Sequence, residues 1–333
     1  METAGRKPAV CRSAEPDGLC LIAGVPMPSP NSPQPRSTDW LIFALVPVFF
    51  SSNLIFGRGV IGEIGPFITA FIRWAGSTLI MVPLLYLDWP AAWTFVRRHT
   101  WLWLWLGFLS IGICGGFVYW ALTLTTASNA TLIYTTSSLF IILFEWQFSG
   151  RRIGSRELLG MVVAFAGVTA IVLRGDFGAL AGMNFNVGDL GMLVAAIAFA
   201  IYSILLRRPA AQAIRPLTLF GLIAFSGSLL LLPPAIWELF HGGLLPKTFS
   251  AWSKIAGIIL FASLAAFFCF QHTVRKFGPA TAGITLYMMP PVSIIMAVIF
   301  LGETFETYHA VGIVLVLGGV VLATRRPRGL TKP

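Results

Sequence analysis

The chain has 333 residues, 56% of them hydrophobic and only 11% charged, with a mean hydropathy of +0.82. A soluble globular chain carries about 25% charged residues, so this one cannot clothe a water-facing surface, and its length does not stand for one or two soluble domains. The net charge of +10, from 23 Lys and Arg against 13 Asp and Glu, would suggest nucleic acid if the bases clustered on one face; they are instead spread along the chain.

Residues 1–38 come first and are rich in proline, with Pro26, Pro28, Pro30, Pro33 and Pro35 beside Arg6, Lys7, Arg12 and Arg36. Such a stretch buries too little apolar area to offset its ordering entropy and reads as a disordered cytoplasmic tail. Met27 offers a second start, which would place residues 1–26 outside the native chain. Ten apolar runs follow, at roughly 40–57, 66–87, 101–124, 129–148, 155–173, 188–206, 216–237, 251–272, 279–301 and 307–324. A spanning helix needs about 20 residues, and ten of them with short loops use up the chain. The predicted fold is an all-α polytopic membrane protein with ten transmembrane helices. Lipid offers no hydrogen bonds to an open backbone, and the alternation of a β-barrel is missing.

The bases sort by loop. With the N-terminus inside, 18 of the 23 lie on the cytoplasmic side and four, Arg58, Arg174, Lys247 and Lys254, lie outside. That split follows the positive-inside rule and predicts that both termini are cytoplasmic. Trp40, Trp89, Trp101, Trp237 and Trp252 fall at span edges, where an aromatic belt sits. Cys11, Cys20, Cys114 and Cys269 make neither a disulfide framework nor a zinc pattern.

The halves resemble each other. At an offset of 150, Asp39 matches Asp189, Arg58 matches Arg208 and Pro66 matches Pro216. At 152, Ala130 matches Ala282, Gly150 matches Gly302, Gly160 matches Gly312 and Gly167 matches Gly319. The domains read as a five-helix repeat over 39–174, a linker at 175–187, a second repeat over 188–325 and a basic tail at 326–333. Five is odd, so the second copy enters the membrane inverted, and two inverted repeats can exchange conformations to open the molecule to one side and then the other.

At this point the residues resemble a known family, the EamA-type ten-helix permeases of the drug/metabolite transporter superfamily. The carriers are Ser51-Ser52-Asn53 with Arg58, Pro66 with Arg73, Ala121-Leu122 with Thr126 to Ala130, Gly278-Pro279-Ala280, Pro290, and Gly302-Glu303-Thr304-Phe305. The resemblance implies a permease of the bacterial inner membrane that exports amino acids, other metabolites or drugs. Two departures stand out: Ser138 replaces the usual proline of the fourth helix, and Gly150-Arg151 replaces its Gly-Glu ending.

Ionisable residues inside spans cost several kcal/mol unless shielded, which makes them functional candidates. Arg73 lies about seven residues into the second helix, roughly 10 Å deep, and its planar donor fork suits a carboxylate. The alternative is a snorkelling or helix-pairing arginine. Glu145 and His272 end the fourth and eighth helices at the same inner level and are the candidates for proton coupling. Tyr134, Thr135, Thr136, Ser137 and Ser138 form a polar run near mid-membrane, some lining a cavity and two or three returning hydroxyls to their own backbone. Tyr287 and Pro290 lie opposite by pseudo-symmetry, and Tyr119, Trp120 and Tyr202 are candidate aromatic walls. Glu303 reads as a cap or gate. No Walker A, HExxH or Gly-x-Ser-x-Gly motif is present, so gradient coupling or facilitated diffusion is expected, with no cofactor and no metal. The expected partners are a small-molecule substrate, the bilayer and a coupling proton, without nucleic acid. The competing functions are a membrane-embedded enzyme using Glu145 and His272 at the cytoplasmic face, and a non-transporting receptor, which the inverted repeat disfavours.

Overall fold

The computed structural model describes residues 36–58, 63–125, 127–149, 154–176, 178, 186–302 and 304–324. The expectations for the Pro-rich segment before residue 36, for Gly150-Arg151, for Glu303 and for the basic tail at 326–333 lie outside these residues.

Among the described residues the regular structure is helical. The first half holds α1 (Ser37–Arg58), α2 (Pro66–Leu87), α3 (Trp89–Arg98), α4 (Thr100–Gly107), a π-helical stretch (Phe108–Phe117), α5 (Val118–Leu122), α6 (Ala127–Thr135), α7 (Ser137–Ser149) and α8 (Ser155–Val172). The second half holds α9 (Val187–Leu205), α10 (Pro209–Ala213), α11 (Pro216–Phe240), α12 (Phe249–Gly257), a second π-helical stretch (Ile258–Ala265), α13 (Ala266–Phe277), α14 (Pro279–Ile284), a 3-10 turn (Thr285–Met288), α15 (Met289–Leu301) and α16 (Thr307–Thr324). Among the described residues seven helical columns are long and apolar enough to cross a membrane: Pro66–Leu87, Thr100–Leu122, Ser155–Val172, Val187–Leu205, Pro216–Phe240, Phe249–Phe277 and Pro279–Phe300. The other predicted spans fall on α1, on the pair α6–α7 and on the shorter apolar helix Thr307–Ala323. Leu79, Leu87, Phe240, Ile299 and Val314 are exposed, as a lipid-facing shell requires.

Local chemistry sets the boundaries. Proline occupies the first turn of α2, α11 and α14, where its missing N–H has no intrahelical partner to lose. Asn186 and Asp189 form a reciprocal capping box at the start of α9, and Asp39 accepts from Arg36 N at 2.9 Å at the start of α1. Gly278, at φ 89°, separates α13 from α14, and Gly302, at φ 67°, ends α15.

The two halves meet in an antiparallel pair, α2 against α11. Thr78 Oγ1 lies 3.2 Å from Ser228 Oγ, 150 residues away. On one side of that contact Ile68 N donates to Glu238 Oε2 (2.8 Å), and on the other Thr218 Oγ1 donates to Asp88 Oδ2 (2.6 Å). A carboxylate at the C-terminal end of each helix thus meets the first turn of the other, where the helix dipole favours negative charge. A second antiparallel pair, α8 against α16, crosses backbone to backbone at glycines. A Cβ at Gly160 would lie 2.5 Å from Gly319 O, and one at Gly167 would lie 2.8 Å from Gly312 O. The two π-helical stretches begin 150 residues apart, and the breaks after Thr135 and before Met289 interrupt α6–α7 and α14–α15 at similar places.

Candidate functional site

A cavity of about 440 Å³ opens among α1, α2, α6 and α15, with Arg73, Asn53, Tyr134, Thr135, Cys114 and Pro290 on its wall. Much of its remaining lining, including Leu122, Thr131, Ile171 and Met192, comes from the C-terminal ends of α5 and α8 and the N-terminal turns of α6 and α9. The cavity therefore lies toward one end of the bundle.

Arg73 is 7% exposed. Nε donates to Ser263 Oγ at 2.5 Å, Nη1 to Tyr119 OH at 3.1 Å and Nη2 to Ala262 O at 2.8 Å, while the guanidinium lies 4.9 Å from the centre of the Trp74 ring. Both Ser263 and Ala262 belong to the π-helical stretch Ile258–Ala265; its wider turn leaves a carbonyl available to an outside donor. Tyr119 stands behind Arg73 and donates in turn to Asn53 Oδ1 at 3.4 Å. All three partners of Arg73 are neutral, and no carboxylate pairs with it among the described residues.

The polar run divides. Tyr134 and Thr135 line the cavity. Thr135 Oγ1 and Thr136 Oγ1 donate to the carbonyls of Thr131 and Ile133, as expected for hydroxyls returning to their own helix. Ser137, Ser138, Tyr202 and Tyr287 are not part of the cavity wall: each is at most 1% exposed, within packed helices. Ser138 Oγ donates to Gly283 O at 2.7 Å, and Tyr202 OH accepts from Gln271 Nε2 at 3.1 Å. The break at Thr136 resets the helical register, so Ser138 faces α14 rather than the cavity of Tyr134. Trp120 is not on the wall either and stacks on Phe117, with ring centres 5.0 Å apart. Pro290 lies on the wall, and the neighbouring Met289 carbonyl accepts from Ser51 Oγ at 3.1 Å.

At the opposite end the helices are stitched together. His272 Nε2 lies 2.7 Å from Asp39 Oδ1. Glu145 Oε2 accepts from Ala280 N, at the start of α14, at 3.1 Å. Arg275 Nη2 donates to the carbonyls of Ala211 and Ile214 at 2.7 Å each. The rings of Trp40, Phe43 and Phe277 close the same end at centre distances of 4.7–5.7 Å. Glu145 and His272 share a level, yet each is held by a different partner, so the structure does not join them in a relay. Sequence reasoning also passed over Asn53 and Cys114 as wall residues. Asn53 stood in the polar triplet Ser51-Ser52-Asn53 inside an apolar run, a signal that could have found it.

The hydrogen bond from His272, then that from Arg36 N, holds the Asp39 carboxyl below the usual carboxylate range. A group depressed on folding contributes stability that is present above its unfolded value of about 3.9 and is lost as pH falls through the folded value. Asp39→Asn is therefore expected to flatten the acid limb: between pH 5 and pH 3 the wild type should lose more melting temperature than the variant, by about 2 °C. Parallel melts in detergent check this; identical slopes would remove Asp39 from the acid response.

A family model described as EamA-like transporter family matches residues 38–173 and 186–325. An uncharacterized transporter of Archaeoglobus fulgidus is 27% identical over 301 residues, covering 87% of this chain and 99% of that one. The uncharacterized transporter YetK of Bacillus subtilis is 22% identical, with 81% of each chain covered. A probable terminal-alkyne amino-acid exporter of Streptantibioticus cattleyicolor is 25% identical over 211 residues, covering 63% of this chain and 68% of its own. A solved crystal structure superposes with a TM-score of 0.72 at 19% identity, covering 87% of this chain and 97% of that one, and so shares the fold. The described helices and these relatives agree: the chain is a multi-pass membrane protein of the EamA-like transporter family, a family of transporters rather than enzymes.

Proposed function

We propose that the chain is a secondary transporter of a small metabolite, an exporter in the class of amino acids, other metabolites or drugs, working by alternating access. In this reading ten spans form two inverted five-helix repeats, over 39–174 and 188–325, joined by the linker at 175–187. Both termini lie in the cytoplasm of a bacterial inner membrane. The observation that carries it is the one-ended cavity: a wall of polar groups around Arg73 at one end, and helices stitched by Asp39, His272, Glu145 and Ala280 at the other. Two family matches in one chain support the repeat. So does the contact of Thr78 with its own counterpart Ser228, flanked by two cross-caps that obey the same offset, because an inverted repeat brings equivalent residues together at its two-fold axis. The distribution of basic loops supports a cytoplasmic position for the stitched end and an outward one for the cavity. Glu145 and His272 remain the proton-coupling candidates, now as separate latches: neutralising Glu145 would weaken its hold on the first turn of α14.

Cys114 lies on the cavity wall and supplies the test. In a Cys11→Ser, Cys20→Ser, Cys269→Ala chain, a membrane-impermeant methanethiosulfonate added outside cells is expected to label Cys114 and block export. The export panel comprises amino acids, purines and cationic drugs. A Cys114 reached from neither side of the membrane, or wild-type vesicles that move none of the panel, would refute the transport reading.

A further inference from the structure

Resting on the transport reading, we infer that the solute is an amphipathic monoanion, a carboxylate on an apolar body, held at its charged end by Arg73. A guanidinium has five N–H donors; three are engaged by Ser263, Tyr119 and Ala262, which leaves two and the full positive charge. Those three bonds alone would make Arg73 a strut between α2 and the π-helical stretch. A strut, however, needs no charge, and a buried charge with only neutral partners is costly in a membrane interior. Its placement on the cavity wall lets an incoming anion supply the missing counter-charge, in the bidentate geometry that guanidinium and carboxylate share.

The rest of the wall defines what the anion carries. Among the described lining residues Arg73 is the one charged side chain: no Asp, Glu, Lys or His lies beside it. Phe50, Val118, Met192, Leu286 and Ile294 supply apolar area, and the cavity volume falls in the range of small-molecule sites. An ammonium group entering with the carboxylate would find no carboxylate on this wall and would sit close to Arg73. Asp189, on the same helix as the wall residue Met192, is engaged by Asn186 N and Thr125 Oγ1 in capping α9. The site therefore accepts one negative charge and disfavours both zwitterions and cations.

Three probes on one scaffold separate the possibilities: 3-phenylpropionate, phenylalanine and 2-phenylethylamine. Protection of Cys114 from alkylation is read in purified chains whose other cysteines are replaced as above. Half-protection by 3-phenylpropionate is expected at a concentration at least about 10-fold below that for phenylalanine, with none from the amine. Asn53→Asp carries the decisive variant. It is nearly isosteric, it lies one hydroxyl away from Arg73 through Tyr119, and it places a negative charge beside the guanidinium. It should weaken 3-phenylpropionate by about 10-fold or more while the chain elutes and melts as the wild type does. Arg73→Gln should lose protection altogether; if it fails to fold, Asn53→Asp still decides. Equal protection by phenylalanine or the amine, or an Asn53→Asp chain that binds as before, overturns the assignment. If no probe protects a Cys114 that is still labelled from outside, the anion assignment falls and the transport reading stands; a Cys114 that no reagent reaches sinks the transport reading itself.

Discussion

Arg73→Ala is expected to reduce flux in reconstituted vesicles by about two orders of magnitude while leaving a folded protein. The functional part follows from what Arg73 does on the cavity wall. A hydrogen bond to a charged group contributes about 1.5–3 kcal/mol, and about 3 kcal/mol of lost solute binding corresponds to roughly 100-fold in affinity. The structural part follows from the partners Arg73 leaves behind. Ser263 Oγ also donates to Ile258 O, and Tyr119 OH donates to Asn53 Oδ1, so neither hydroxyl is stranded. Ala262 O loses its donor, but the void left by the side chain adjoins the cavity, where water can reach it. A melting temperature a few degrees below wild type, with flux near the level of empty vesicles, is the expected pair of results. Arg73→Lys keeps the charge without the fork and should fall between the two. Wild-type flux in Arg73→Ala would eliminate its role in transport.

What was legible in the sequence follows from which properties are local. Arg73 stood out because an ionisable group inside an apolar run is costly wherever the fold puts it. The Pro-led starts of α2, α11 and α14 were equally visible, because a first turn is set by its own residues. Depth in the membrane could be counted at 1.5 Å per residue, which placed Glu145 and His272 at one level. Direction around the helix axis could not, because it depends on register. The two π-helical stretches and the break at Thr136 shift that register without a proline to announce it. That is why Ser138 turned out to be packed, whereas Cys114 reached the wall. The cross-caps from Asp88 and Glu238 were hidden for another reason: each joins residues 130 or 170 positions apart, and a carboxylate at a span end looks like an ordinary loop charge until its partner helix is in place.

Gly160→Ala is expected to be among the most damaging single methyl groups added to the described bundle, at about 2–3 kcal/mol of stability. Helices in lipid gain little from apolar burial against each other and associate through close packing of small residues. The crossing of α8 with α16 shows how close. A Cβ on Gly160 would meet Gly319 O and Ala323 N at 2.5 Å, and both are backbone atoms that cannot rotate away. A Cβ on Gly319 would in turn strike Gly160 O, with Ala164 N at 2.5 Å. The two glycines guard the same contact from opposite sides, so the first methyl must push the helices apart and the second then enters a gap already opened. The double variant Gly160→Ala/Gly319→Ala should therefore cost less than the sum of the singles, a coupling absent between distant sites. Gly318→Ala supplies the control on the same helix, since a Cβ there has nothing within 4 Å, and it should melt as the wild type does or slightly higher, glycine being the poorer helix former. Detergent melts of the four variants decide the matter. Equal melting of Gly160→Ala and Gly318→Ala would mean that the α8–α16 crossing is not held at glycine contact. Strict additivity of the pair would mean that the two glycines do not share one contact.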